Sequence, residues 1–231
     1  LLTILVTGAE SQLGNELKVL NPSFPYCQFL FTSKKDLPID NYQAVTHFFS
    51  GHSIDYCVNC AAYTAVDKAE TEKNQAFLIN AEAVGNLAIL SHQNKTQLIH
   101  ISTDYVFDGT ADSPYKETDK TNAVSVYGKS KLLGEELAMQ HCPSSIIIRT
   151  SWLYSAYKSN FVKTMVRLMN EKESIGVVND QTGCPTYAAD LALAIMRIIK
   201  SGRSWETPGI FHYCNAGITT WHGFAVAIKK L

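Results

Sequence analysis

The sequence predicts an α/β fold, a doubly wound parallel sheet with a smaller C-terminal lobe, on three observations. The stretch Leu1 to Thr7 is almost continuously apolar, the pattern of a strand buried on both faces. A glycine-bearing turn follows at once and leads into helical spacing at Leu13, Leu17 and Leu20. Strand and helix then alternate down the chain, which is the signature of parallel βαβ units with helices on both faces of one sheet.

Asn21-Pro22 stops the first helix, and Tyr26 to Phe31 reads as a second strand. A helix around Tyr42 to Phe49, a strand at Asp55 to Cys60, a helix over Glu70 to Gln93 and a strand at Leu98 to Ser102 follow. The helix Val126 to Gln140 leads into the strand Ile146 to Thr150. Beyond Ser151 the alternation weakens to a helix at Asn160 to Asn170, a Gly/Pro-bearing stretch at Gly176 to Thr186, a helix at Ala188 to Lys200 and a short strand near Ile210 to Cys214. The expected division is a Rossmann-like dinucleotide-binding domain over 1–150 and a substrate-binding lobe over 151–231. The last apolar-periodic helix reaches Leu231 without a glycine or capping signal, so the lobe is expected to be incomplete at that end.

With 231 residues, 46% of them hydrophobic, the chain is long enough to bury a sizeable core. Lys plus Arg (20) nearly cancels Asp plus Glu (21), so no global basic field draws in nucleic acid or anionic lipid. Apolar runs such as Ile146 to Ile148 fall far short of the roughly 20 residues a membrane helix needs. The first residues lack a basic flank and read as a strand, not a signal peptide, so a cytoplasmic protein with no membrane partner is expected. Among six cysteines only Cys57 and Cys60 have a suggestive spacing. They sit in a strand, where residues three apart face opposite ways, and are expected to pack in the core as reduced thiols.

Thr7-Gly8-Ala9-Glu10-Ser11-Gln12-Leu13-Gly14 joins the first strand to the first helix. Gly8 and Gly14 let the backbone turn and approach a pyrophosphate, while Ser11, Gln12 and Leu13 stand at the positive end of the helix. Ser11 replaces the middle glycine of Gly-x-x-Gly-x-x-Gly, which requires an ordinary backbone there. The second strand ends in Phe31-Thr32-Ser33-Lys34-Lys35, with no carboxylate to hold a ribose 2′-hydroxyl. Ser33 and Lys34 suit a 2′-phosphate instead, so NADPH is expected, with NADH possible.

Tyr127 and Lys131, four apart on a helix, share one face, where an ammonium can lower a phenol's pKa. Alone this spacing is weak, since a surface tyrosine often lies on a lysine stem. Ser102-Thr103-Asp104 at the end of a parallel strand adds a hydroxyl where ligands of such sheets bind and a carbonyl oxygen gains charge. Ala61, Ala62, Tyr63 and Thr64, past another strand end, are assigned to the nicotinamide-ribose side.

In this order, these residues resemble the extended short-chain dehydrogenase/reductases, and within them the dTDP-4-dehydrorhamnose reductase family, over nearly the whole chain. The specific matches are Cys60-Ala-Ala-Tyr-Thr-Ala-Val-Asp-Lys-Ala-Glu70, His100-Ile-Ser-Thr-Asp-Tyr-Val-Phe-Asp-Gly109, Val126-Tyr-Gly-Lys-Ser-Lys-Leu-Leu-Gly-Glu135, Arg149-Thr-Ser-Trp-Leu-Tyr154, Asn160-Phe-Val-Lys-Thr-Met165 and Asn179-Asp-Gln-Thr-Gly-Cys-Pro-Thr186. The resemblance implies Tyr127 as proton donor, Lys131 as its partner and ribose ligand, and Thr103 as the hydroxyl that polarises the ketone. It places Thr103, Asp104 and Trp152, with Ser102 beside them, on a nucleotide-sugar substrate. It implies reduction of the C4 ketone of dTDP-4-dehydro-6-deoxy-L-mannose to dTDP-L-rhamnose.

Some members of that family pair through magnesium held by three acidic side chains. Glu16 matches the first, Ala189 replaces the second and the third position lies beyond Leu231, so no metal site is expected and the chain is read as a monomer or weak homodimer. Two other readings share the motifs: another nucleotide-sugar ketoreductase or epimerase, and a non-catalytic subunit like the regulatory subunit of methionine adenosyltransferase. Intact Thr103, Tyr127 and Lys131 argue against the second.

Overall fold

A computed structural model describes residues 1–202 and 206–231. The chain opens with β1 (Leu2–Thr7), α1 (Gln12–Leu20), β2 (Cys27–Thr32), α2 (Tyr42–Gly51) and β3 (Tyr56–Asn59). Next come α3 (Val66–Ala69), α4 (Lys73–Phe77), a π-helical turn at Leu78–Glu82, α5 (Ala83–Gln93), β4 (Gln97–Thr103), α6 (Val126–His141) and β5 (Ile146–Thr150). The remainder supplies β6 (Leu153–Tyr154), α7 (Phe161–Glu171), β7 (Thr182–Gly183), β8 (Thr186–Tyr187), α8 (Ala188–Ser201), β9 (Gly209–His212), β10 (Thr219–Thr220) and α9 (Trp221–Lys230).

Six parallel strands form the central sheet in the order β2-β1-β3-β4-β5-β9. From β1 the chain moves one way to β2 and then crosses to β3 on the other side, which opens a crevice between the carboxyl ends of β1 and β3. Period-two alternation sends Leu5, Cys57, Leu98 and Ile147 to one face, where α2, α5 and α6 cover them with Val45, Phe49, Leu87 and Ala138. Ile4, Val6, Val58 and Ile99 face the other way, under Leu13 and Leu17 of α1 and Leu191, Ile195, Met196 and Ile199 of α8. Cys57 is buried in the first of these layers and Cys60 packs against the second, and all six cysteines are free thiols.

Two features differ from the sequence reading. A division at residue 150 leaves out α8, which packs on α1, and β9, which extends the main sheet beside β5. Burying the four apolar side chains of α8 contributes about 1.5–3 kcal/mol each, so this late segment belongs to the main core. The helix expected over 70–93 is broken into α4, the π turn and α5. In the π turn, buried Asn80 bonds both polar groups of the Tyr63 backbone, accepting from its N–H at 2.8 Å and donating to its C=O at 3.0 Å. Its amide also donates to Ser130 Oγ of α6 at 3.0 Å.

Candidate active site

The crevice at the β1/β3 switch point is the floor of a cleft of about 580 Å³. Gly8 turns there with φ +62°, and a Cβ on it would lie 2.6 Å from the Ala61 backbone. Only glycine permits that approach of the first loop to the end of β3. Gly14 packs on the backbone of Gly8 and Ala9, and a Cβ would sit 2.7 Å from Gly8 O. Ser11 has an extended backbone, and its hydroxyl caps α1 by accepting from Gly14 N–H at 3.0 Å. A residue in that conformation needs no glycine, which accounts for the serine in the loop.

Gly8, Ser11, Gln12, Leu13, Lys34, Ala61, Ala62 and Thr64 line the cleft at this end. Gly14, Ser33 and Tyr63 are not among the residues that line it. Ser33 organises the turn after β2, donating from its N–H to Asp36 at 2.8 Å and accepting from Lys35 N–H at 3.2 Å. Hydrogen bonds from the Ser33 side chain and backbone hold the Asp36 carboxyl below its ordinary range. The Tyr63 hydroxyl donates to Glu72 at 2.7 Å. Leu37, Ile39 and Asp40 also line the cleft, from a loop that carries no motif.

At the other end the cleft is lined by Ser102, Thr103, Asp104, Tyr127, Lys131 and Trp152. Ser125 caps α6 through Gly128 N–H at 3.0 Å and starts the helix that carries Tyr127 and Lys131. The Lys131 side chain is buried beneath the cleft floor and donates to Ile101 O at 2.6 Å. Burial pulls its pKa down to about 8, against the raising effect of Glu135 and Cys60. Burial pushes the Tyr127 phenol up to about 12, partly offset by a hydrogen bond with Thr103. The expected lowering of the phenol by Lys131 is therefore not the dominant influence; desolvation is. Thr103 Oγ1 donates to Asp104 at 3.1 Å and accepts from Tyr105 N–H at 3.2 Å. Asp104 is raised to about 6 by burial, with hydrogen bonds from the Thr103 hydroxyl and from the Asp104 and Tyr105 backbone opposing. The Ser102 hydroxyl is turned to Glu135, whose carboxylate also takes two nitrogens of Arg149 at 2.7 to 3.1 Å.

Trp152 adopts φ +47° and stacks on Trp221 at 3.6 Å. Its indole lies over Gly183, where a Cβ would meet the ring at 2.7 Å. Gly183 falls within the Asn179 to Thr186 match, whereas nothing in the sequence marks Trp221. Gln12 joins the two ends of the cleft, donating to Leu153 O at 3.2 Å and accepting from Asn160 at 2.8 Å. Glu16 is buried on α1 with Oε1 unpartnered and its pKa raised by desolvation. Among the described residues no group of three or more His, Cys, Asp or Glu side chains is placed to hold a metal ion. None of the described helices is long and apolar enough to cross a membrane.

The family model described as the RmlD substrate binding domain matches residues 2–231. The dTDP-4-dehydrorhamnose reductase of Aggregatibacter actinomycetemcomitans is 40% identical over 227 residues, covering 97% of this chain and 77% of that protein. The chain belongs to the dTDP-4-dehydrorhamnose reductase family. A spore coat polysaccharide biosynthesis protein of Bacillus subtilis, SpsK, is 43% identical over 98% of this chain and 78% of its own length. The crystal structure of dTDP-4-dehydrorhamnose reductase from Bacillus anthracis in complex with NADP superposes with a TM-score of 0.93 at 40% identity, covering 99% of this chain and 79% of that one. Membership in this reductase family agrees with the Rossmann-like sheet and with the cleft at its switch point.

Proposed function

We propose that this chain uses NADPH to reduce the C4 ketone of dTDP-4-dehydro-6-deoxy-L-mannose, giving dTDP-L-rhamnose. The observation that carries the reading is the single cleft that joins the Gly8 loop to Thr103, Tyr127 and Trp152. The Gly8 cradle, the amino end of α1 and Lys34 fit a pyrophosphate and a 2′-phosphate. When bound, the reduced nicotinamide supplies the hydride. Tyr127, protonated at neutral pH because burial holds its pKa high, gives its proton to the sugar oxygen. Thr103 turns its hydroxyl from Asp104 to the same oxygen as charge develops there. Trp152, braced by Trp221, provides an apolar wall for the deoxysugar. Lys131, which lines the same cleft, would hold the ribose of the cofactor.

The test is to mix the purified protein with NADPH and dTDP-4-dehydrorhamnose and follow the nicotinamide absorbance. Consumption with formation of dTDP-L-rhamnose is expected. A folded sample that binds NADPH and leaves this sugar untouched, while reducing another member of a nucleotide-sugar panel, overturns the substrate.

A further inference from the structure

Thr7, Asn59 and His100 stand side by side in the register of β1, β3 and β4, all fully buried. The Asn59 amide has one possible orientation. Its Oδ1 accepts from Thr7 Oγ1 at 2.6 Å and from Ala61 N–H at 3.2 Å, and a backbone N–H can only donate. Asn59 Nδ2 therefore donates to His100 Nδ1, 3.0 Å away. A neutral imidazole that accepts at Nδ1 carries its hydrogen on Nε2. That hydrogen points at Lys131 Nζ, 3.3 Å away. An ammonium has no lone pair to receive it, whereas a neutral amine has one and still keeps a hydrogen for Ile101 O.

We infer that His100, locked as its Nε2–H tautomer by Asn59, is a positioning residue that hydrogen-bonds the neutral amine of Lys131 and makes Lys131 a ready proton donor. The groups facing Lys131 are His100 from β4, Cys60 after β3 and Glu135 from its own helix. Glu135 and Cys60 favour the ammonium, while burial and the Nε2–H favour the amine. Burial, with the Lys131 charge adding to it, holds His100 well below its ordinary pKa, so the imidazole stays neutral.

The kinetic consequence rests on the reductase reading. Once the Tyr127 O–H bond breaks and its proton passes to the sugar oxygen, a phenolate remains. An N–H bond of protonated Lys131 breaks, its proton re-forms the Tyr127 O–H, and the electron pair stays on nitrogen, where the His100 Nε2–H meets it. A hydronium ion from solvent then restores the ammonium.

The tautomer is read by nitrogen NMR of histidine-labelled wild-type protein, with His100 assigned through His100→Asn. A bare Nδ1 and a protonated Nε2 across neutral pH are expected; a protonated Nδ1 overturns the inference, and this readout needs no altered Asn59. Asn59→Asp keeps the oxygen used by Thr7 and Ala61 and offers His100 a second one, so the ring flips its tautomer and turns a bare Nε2 to Lys131. The Lys131 13Cε shift should titrate with a midpoint that rises by about one unit in this variant, a tenfold change in proton affinity. An unmoved midpoint in folded Asn59→Asp protein overturns the inference. With turnover, the basic limb of the kcat/KM profile should move with that midpoint. Absence of turnover with the NMR results intact overturns the substrate assignment alone.

Discussion

Gly134 of α6 lies directly against the Asn80 carbonyl, so closely that a Cβ on Gly134 would come within 2.0 Å of that oxygen. This contact seats the helix that carries Tyr127 and Lys131 on the π turn that holds the Tyr63 loop. In an open helix, Gly→Ala stabilises by roughly 0.5–1 kcal/mol. Here the sign should reverse, because the neighbour is rigid backbone and overpacking costs about 1–3 kcal/mol. Gly134→Ala is expected to lower Tm by several degrees in a thermal melt; an unchanged or higher Tm would show that the helix can back away freely.

Tyr127→Phe removes the proposed acid and keeps the ring packed edge-on against Tyr105 at 5.6 Å. The turnover rate should fall by about 100- to 10,000-fold, the usual contribution of a positioned acid. NADPH binding, measured by calorimetry, should change little. Wild-type turnover in this variant would remove Tyr127 from the chemistry.

The Glu135–Arg149 pair is buried, with its closest contact 2.7 Å. Removing one partner strands the other charge, which costs about 3–5 kcal/mol. Glu135→Gln should therefore lower the urea midpoint sharply, and a Glu135→Leu/Arg149→Met double variant should recover much of the loss. Additive losses in the double variant would show the pair is not energetically joined.

Asp104 carries a folded-state pKa of about 6 against an ordinary value of 3.8. The folded chain thus binds this proton more tightly than the unfolded chain does. Its contribution to unfolding free energy falls as pH rises from the ordinary carboxylate range through about 6, then levels off. Wild-type protein should lose Tm over that window relative to Asp104→Asn. Parallel Tm curves for the two proteins would contradict the burial of this carboxyl.

Much of the fold was legible because its signals are local. The apolar run before Gly8 and the strand Ile146 to Thr150 read as β because burial on both faces leaves no polar alternation. The π turn at Leu78–Glu82 was not legible, since one extra residue in a helical turn involves no glycine or proline and leaves the apolar spacing nearly intact. The placement of α8 was hidden for another reason: an amphipathic stripe says that a face is covered, not by what. In the site, Tyr127, Lys131 and Thr103 were marked by residue type and spacing. Ile39, Asp40 and Trp221 were not, because only the fold brings them to the cleft edge or behind Trp152. The hydroxyl of Ser11 caps its helix, a use that its spacing to Gly14 could have signalled.

The interleaving of α8 and β9 with the first 150 residues bears on how such a chain could diversify. Residues 151–187, which hold Trp152 and Gly183, form an excursion between two parts of one cooperative folding unit and not an appendage to it. Their sequence can change while both flanks stay anchored in the same sheet. A cut after residue 150 would strip the cover that α8 gives to Ile4, Val6, Val58 and Ile99, so the first 150 residues alone would carry an uncovered apolar face.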